Sequence, residues 1–322
     1  MKKIEKLTPE QEAAMPEYVK KWINIGCNTD RLDPEKTEKT IKNYRRLIGY
    51  EEDVPLFIVD NPLEGWYASF LWLSKVPYEN LRQELNDIFN GNLKKYKLPK
   101  ASLPWQTGSF FASMFAFYDF FFEEVGIDID KELYAKYKTW ESTVNLGPIY
   151  PFKDLTIVSQ KPIKINLNDN NVIHCDGGPA VEYAGHGDLK VFALNGVRVP
   201  EYVAVTPEEQ LDLEYYNTMK NADAKAEFVR KVGIERFKER GKLIDTYKNY
   251  SGDKYDWWHK SQYELWDMEC LFEGLNTAPY LSMKNITTEI FHFEGVSPQC
   301  RTLEQALKER FGGRDMIINA IA

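Results

Sequence analysis

Residues 172 to 200 read VIHCDGGPAVEYAGHGDLKVFALNGVRVP, and this stretch decides how the middle of the chain is built. VIHCD, PAVEYA and LKVFAL are three strand-like runs. Gly177-Gly178 and Gly185-His186-Gly187-Asp188 separate them, and Asn195-Gly196 supplies another tight turn before Val197-Arg198-Val199-Pro200, all with residues that tolerate left-handed backbone. The pattern predicts short strands folded into hairpins. Upstream, LTIVS (155–159) and IKINL (163–167) add two strands, with a turn cluster at Asn168-Asp169-Asn170-Asn171. The β-rich region therefore spans residues 151–205.

On the N-terminal side, residues 1–150 read as mostly helical. Thr8-Pro9-Glu10-Gln11 is a capping box, followed by Met15, Val19, Trp22 and Ile23 at helical spacing. A second helix starts at Asp33-Pro34 and stops at Gly49, with Ile41, Tyr44, Leu47 and Ile48 on one face. LFIV (56–59) is a short buried strand closed by Asp60-Asn61-Pro62, and two more helices cover about 64–74 and 78–90. The run SFFASMFAFYDFFFEEVG is apolar on every face, which places it inside a core and predicts a buried, partnered Asp119.

On the C-terminal side, residues 206–322 read as a helical section (207–221, 223–240) followed by a small α+β part. Its strands are expected near 242–248, 262–270, 279–285 and 288–294, with a last helix from Thr302 to about Phe311. Helices and strands segregate along the chain, so the fold class is α+β rather than a doubly wound sheet, and one compact unit overall is expected.

Composition narrows the function classes. With 322 residues, 43% of them hydrophobic, the chain can bury a large core. A net charge of -8 disfavours non-specific binding to nucleic acid or anionic membrane, since both require a positive field. The N-terminus has no apolar signal-peptide core, and the most apolar run, Phe110–Phe122, is too short to span a bilayer. Cys27, Cys175, Cys270 and Cys300 are widely spaced and form no C-x-x-C pair. Reduced thiols and a cytoplasmic location are the expectation.

The candidate chemistry centres on His174, Asp176 and Asp119. Alternation along a strand puts His174 and Asp176 on one face, where a carboxylate can orient an imidazole for proton transfer, and sends Ile173 and Cys175 to the other. Asp119 requires a partner, such as Arg198 or a backbone N–H. Glu182 and His186 lie close enough along the hairpins to join a cluster, and Tyr118 adjoins Asp119. Trp257 and Trp258, flanked by lysines, are a candidate stacking surface. Together Tyr118, Glu182, His186, Arg198, Trp257 and Trp258 are the candidate binding residues. Each group also has a structural reading: turn-bonding His and Asp, a structural ion pair, aromatics that cap a core. Metal-ligand spacings are absent, no cofactor is indicated, and Gly185-His186-Gly187-Asp188-Leu189-Lys190 fails as a dinucleotide loop because no glycine closes it.

Several blocks, in order along nearly the whole chain, resemble one bacterial family, domain-of-unknown-function family 6745: LTPEQEA, AFYDFF (116–121), YPFKDLTIVSQKP (150–162), IHCDGGPAVEY (173–183), NGVRVPEYV (195–203), VGIERF (232–237) and TLEQALKERFG. Its H-x-x-x-G-P-A-V and G-V-x-V-P signatures are both present. The tryptophan- and glutamine-rich insert frequent in that family is replaced by a short segment, NLKKYKLPKASLPWQTGSFF. The resemblance implies no activity. The H-x-x-x-G-P-A hairpin is also similar to a short tandem repeat of some viral and bacterial proteins, where it is architectural. Two functions stay open. One is an intracellular binding or interaction protein with a protein or small-molecule partner. The other is an enzyme using Asp119, His174 and Asp176 on a nucleotide or nucleic acid.

Overall fold

The computed structural model describes residues 6–91, 107–238, 240–246, 263–271, 275–284 and 291–310. The fold is α+β. The chain divides into two compact units, Met1–Val205 and Thr206–Ala322, rather than the single one expected.

In the first unit, α1 (Pro9–Gly26) begins at the Thr8 capping box and α2 (Pro34–Leu47) at Asp33, whose side chain accepts the Lys36 N–H at 3.0 Å. Then come β1 (Leu56–Val59), α3 (Pro62–Leu73), α4 (Leu81–Phe89), α5 (Ala112–Asp119) and α6 (Lys131–Glu141). Next are β2 (Ile149–Pro151) and β3 (Thr156–Ser159). The first sheet has the order β1-β3-β2. β1 runs parallel to β3, with Leu56 opposite Thr156 and Val59 opposite Ser159, and β2 is antiparallel to β3. This parallel pair joins the helical third to the β-rich middle, so residues 1–150 and 151–205 do not form separate parts. Every residue of β3 is buried, because helices cover both sheet faces. Ile157 packs with Leu71, Leu85 and Ile88 of α3 and α4, while its neighbour Val158 packs with Ile41 and Tyr44 of α2 on the opposite face.

Arg45 of α2 is fully buried beside the start of β3. Its guanidinium donates to the carbonyls of Glu51, Phe152 (2.8 Å) and Lys153 (2.6 Å) and to Thr156 Oγ1 (2.7 Å). Burial lowers its pKa, yet the fork of donors stays satisfied by these oxygens.

The hairpin region contains β4 (Lys164–Ile165), β5 (Val181–Glu182), β6 (Lys190–Val191), β7 (Ala193–Leu194) and β8 (Val197–Arg198), then α7 (Glu201–Val205). β4-β5-β6 form an antiparallel sheet and β7-β8 a two-stranded one. Asn195 and Gly196 both have positive φ (47° and 83°), as a tight hairpin turn requires. VIHCD departs from expectation. Only Ile173 forms a bridge, to Leu167, and Asp176 already lies in a turn.

The apolar helix also differs from its reading. Ala112, Phe115 and Asp119 of α5 are buried against α1, but Phe110 is 73% and Phe117 60% exposed. Its apolar residues outnumber the positions its neighbours cover. After Asp119 the helix widens into a π-helical turn over Phe120–Glu124. On α1, Trp22 is buried while Met15 and Val19 are exposed, so the expected apolar stripe is only partly used.

The second unit opens with α8 (Tyr215–Thr218), α9 (Ala222–Val232) and α10 (Ile234–Lys238). The helix expected over 207–221 is reduced to a short 3-10 turn and α8. Arginine donors take its carbonyls: Arg236 bonds those of Glu208 and Leu211, and Arg240 that of Leu213. Strands β9 (Lys242–Thr246), β10 (Tyr263–Asp267), β11 (Pro279–Lys284) and β12 (Phe291–Gly295) form an antiparallel sheet in the order β12-β11-β10-β9. α11 (Leu303–Arg310) packs Leu303, Ala306 and Leu307 on Leu265 and Leu281.

Candidate functional site

Two arrangements in the first unit have the geometry of sites. The first is an apolar cleft of about 700 Å³ between α2, the α5 end and α6. Tyr44, Leu47 and Ile48 of α2 form one wall. Tyr118 and Phe122, on α5 and the π-helical turn, form another, stacked at 6.0 Å and 13°. Ile129, Leu133, Lys136, Tyr137 and Trp140 complete it. The π turn inserts an extra residue per turn, and such bulges recur at functional sites. Here it sets Phe122 edge-on to Tyr137, with centroids 4.9 Å apart. The Tyr137 hydroxyl donates to Glu141 at 2.8 Å, and burial together with that bond raises its pKa far above the tyrosine range. Among the described residues of the lining, Lys136 is the charged one, and its surface pair with Glu132 (2.6 Å) is readily exchanged.

The second arrangement lies at the carboxyl end of the parallel strands β1 and β3. Asp60 and Asn61 follow β1; Gln160 and Lys161 follow β3. Asn61 caps α3 by accepting the Glu64 N–H at 2.9 Å, and Glu64 returns Oε2 to the Asp60 N–H at 3.1 Å. The other oxygen, Oε1, accepts the His186 backbone N–H at 2.7 Å and faces ring Nδ1 at 3.1 Å. Arg31 pairs with Asp60 at 2.6 Å. Lys161 is buried, donates to Asn28 Oδ1, and has a pKa lowered by that burial.

The residues singled out from the sequence are dispersed. Asp119 is buried, but its partners are Lys21 Nζ (2.5 Å) and Trp22 Nε1 (2.8 Å) of α1, not Arg198. Burial alone would lower the Lys21 pKa; the bond and charge of Asp119 outweigh it and raise it. Arg198 is exposed on β8, opposite Ala193. His174 is half-buried, and its Nδ1 accepts the Asn195 N–H at 3.0 Å, which fastens the β7-β8 turn. The expectation of one strand face shared by His174 and Asp176 fails, since the chain turns between them. No hydrogen bond or ion pair links Asp119 to His174. Glu182 sits between Lys164 and Lys190 across the small sheet. Tyr118 lines the cleft, His186 belongs to the second arrangement, and Trp257 and Trp258 lie outside the described residues.

Sequence reasoning missed Glu64, Leu133 and Lys136. A signal existed for the first: Asn61-Pro62-Leu63-Glu64 has the spacing of a capping box, whose acid is drawn to one place. Among the described residues, no group of three or more His, Cys, Asp or Glu side chains is placed to hold a metal, and no helix is long and apolar enough to cross a membrane. No family model, no curated protein and no solved structure matches the chain.

Proposed function

We propose that the protein is a binding protein, and that its N-terminal unit takes a small apolar molecule with an aromatic ring in the cleft between α2, α5 and α6. One observation carries this reading: about 700 Å³ of concave space lined by the rings of Tyr44, Tyr118, Phe122, Tyr137 and Trp140. That volume is in the range of small-molecule sites, which combine apolar walls with few polar groups. Lys136 at the lining favours a ligand that also bears a negative group. A cytoplasmic location belongs to the same proposal and is supported by four unpaired cysteines. Kinship with the family named above rests on the order of its motifs.

1-Anilinonaphthalene-8-sulfonate, two ring systems with one sulfonate, is a suitable probe. The folded protein should bind it saturably at one site. Leu133 is 55% exposed, so Leu133→Glu should leave the melting temperature unchanged while weakening the probe at least about tenfold. Absence of saturable binding, or equal binding by the variant, would remove the cleft as a ligand site.

A further inference from the structure

The Glu64–His186 contact does more than fasten a loop to the first turn of α3. Glu64 is 1% exposed, whereas the His186 side chain is 41% exposed. A carboxylate oxygen 3.1 Å from Nδ1 requires the proton on that nitrogen, so the lone pair of the neutral ring sits on Nε2. Three features hold the ring. It stacks on Phe89 with centroids 5.1 Å apart at 14°. Asn61 Nδ2 donates to the carbonyls of Ala184 and His186, both at 2.9 Å. Gly185 and Gly187 adopt φ of 87° and 84°, and a Cβ on Gly185 would lie 2.3 Å from Glu64 Oε1. The close approach that presses His186 onto the carboxylate therefore requires glycine. A fastening alone would be complete with the backbone N–H bond to Glu64. The oriented ring adds a base, because a buried carboxylate on Nδ1 stabilises the imidazolium formed when Nε2 takes a proton.

Two arginines flank the same corner. Arg82 is anchored by the Ile58 carbonyl at 2.5 Å and by the face of Phe57 at 4.5 Å, with Nη1 4.0 Å from Glu64 Oε2. Arg31 is held by Asp60. Their side chains are 48% and 51% exposed, so both offer donors to solvent.

We propose that Glu64 and His186 form a proton-transfer pair, with His186 Nε2 directed at a small molecule whose phosphate or carboxylate group is bound by Arg31 and Arg82. In the step itself a hydroxyl or water O–H of the ligand breaks and Nε2–H forms. The imidazolium charge is balanced by Glu64, and in the return step Nε2–H breaks and the same oxygen regains the proton. This pair is separate from the aromatic cleft and does not depend on its ligand.

Nitrogen-15 NMR of histidine-labelled protein tests it, with His186→Gln assigning the resonance. The neutral His186 ring should carry its proton on Nδ1. Inorganic phosphate or acetate, added at constant ionic strength, should shift its Nε2 signal saturably, and whichever acts identifies the oxyanion. The double variant Arg31→Gln, Arg82→Gln should weaken that response at least about tenfold, with the His174 signals unchanged as evidence of folding. Protonation on Nε2, a shift by neither anion, or an undiminished response in the double variant would overturn the proposal.

Discussion

Asp119→Leu separates the two partners of the buried carboxylate. Asp119 is 2% exposed and holds Lys21 Nζ at 2.5 Å and Trp22 Nε1 at 2.8 Å. These bonds differ in worth. The Lys21 side chain is 52% exposed and can turn to water when its partner is lost, so its share is about 0 to 1 kcal/mol. Trp22 is 4% exposed, and its indole N–H has Asp119 as its acceptor among the described residues. Stranding that donor costs about 1 to 3 kcal/mol. The leucine variant should therefore lose about 2 kcal/mol, less than the roughly 3 to 5 kcal/mol of a stranded buried cation. Asp119→Asn keeps an oxygen for the indole and should lose about 1 kcal/mol or less. Urea denaturation followed by tryptophan fluorescence measures both, with an unchanged slope as the control for two-state behaviour. If asparagine costs as much as leucine, or leucine costs more than about 4 kcal/mol, the ion pair and not the indole bond holds this site, and the partition fails.

Arg45→Met strips four oxygens of their donor and should cost about 3 kcal/mol or more; Arg45→Lys should recover little, because one ammonium cannot span the separate carbonyls, and thermal melts of the two will decide. Gly185→Ala meets Glu64 and Asp60 at 2.3 and 2.4 Å, while Gly177→Ala has nothing within 4 Å, so at similar φ (87° and 92°) the first should cost clearly more in the same melts. His174→Ala should lose only about 1 kcal/mol, the worth of one bond to the Asn195 N–H, and should leave probe binding in the cleft unchanged. Burial and the Glu309 carboxylate both push the Cys300 thiol up, so in native protein Cys300 should be the slowest of the four cysteines to react with a thiol reagent, as peptide mapping would show.

What the sequence made legible was local. The caps at Thr8, Asp33 and Thr302 and the tight turn at Asn195-Gly196 each depend on residues three or four apart, and all are present. The strands of the C-terminal sheet lie within a few residues of the runs expected for them. The pairing of β1 with β3 spans a hundred residues, and no periodicity encodes a partner at that distance. The Glu64–His186 contact spans 122 residues. The acid's half carries an unread capping-box spacing at Asn61–Glu64 and the histidine's half a failed phosphate loop, and nothing local says that the glycines serve to seat a histidine on the acid.

The apolar run around Asp119 shows a different limit. Composition indicates how much of a helix resists water, not how much its neighbours will cover, and Phe110 and Phe117 are left outside. It also hides direction. Successive helical residues are rotated by about 100°, so adjacent Tyr118 and Asp119 serve different neighbours. Asp119 reaches α1 and is spent on Lys21 and Trp22, while Tyr118 faces the cleft against Phe122 and Tyr137. Stability and ligand binding should therefore separate at this one step along the chain. Asp119→Asn should shift the urea midpoint with the cleft probe still bound. Tyr118→Ala should weaken the probe more than its loss of stability explains, since it removes a wall of the site. If both variants lower stability and binding in proportion, the cleft is merely a gap in the packing of α5 on α6, and its ligand has no basis.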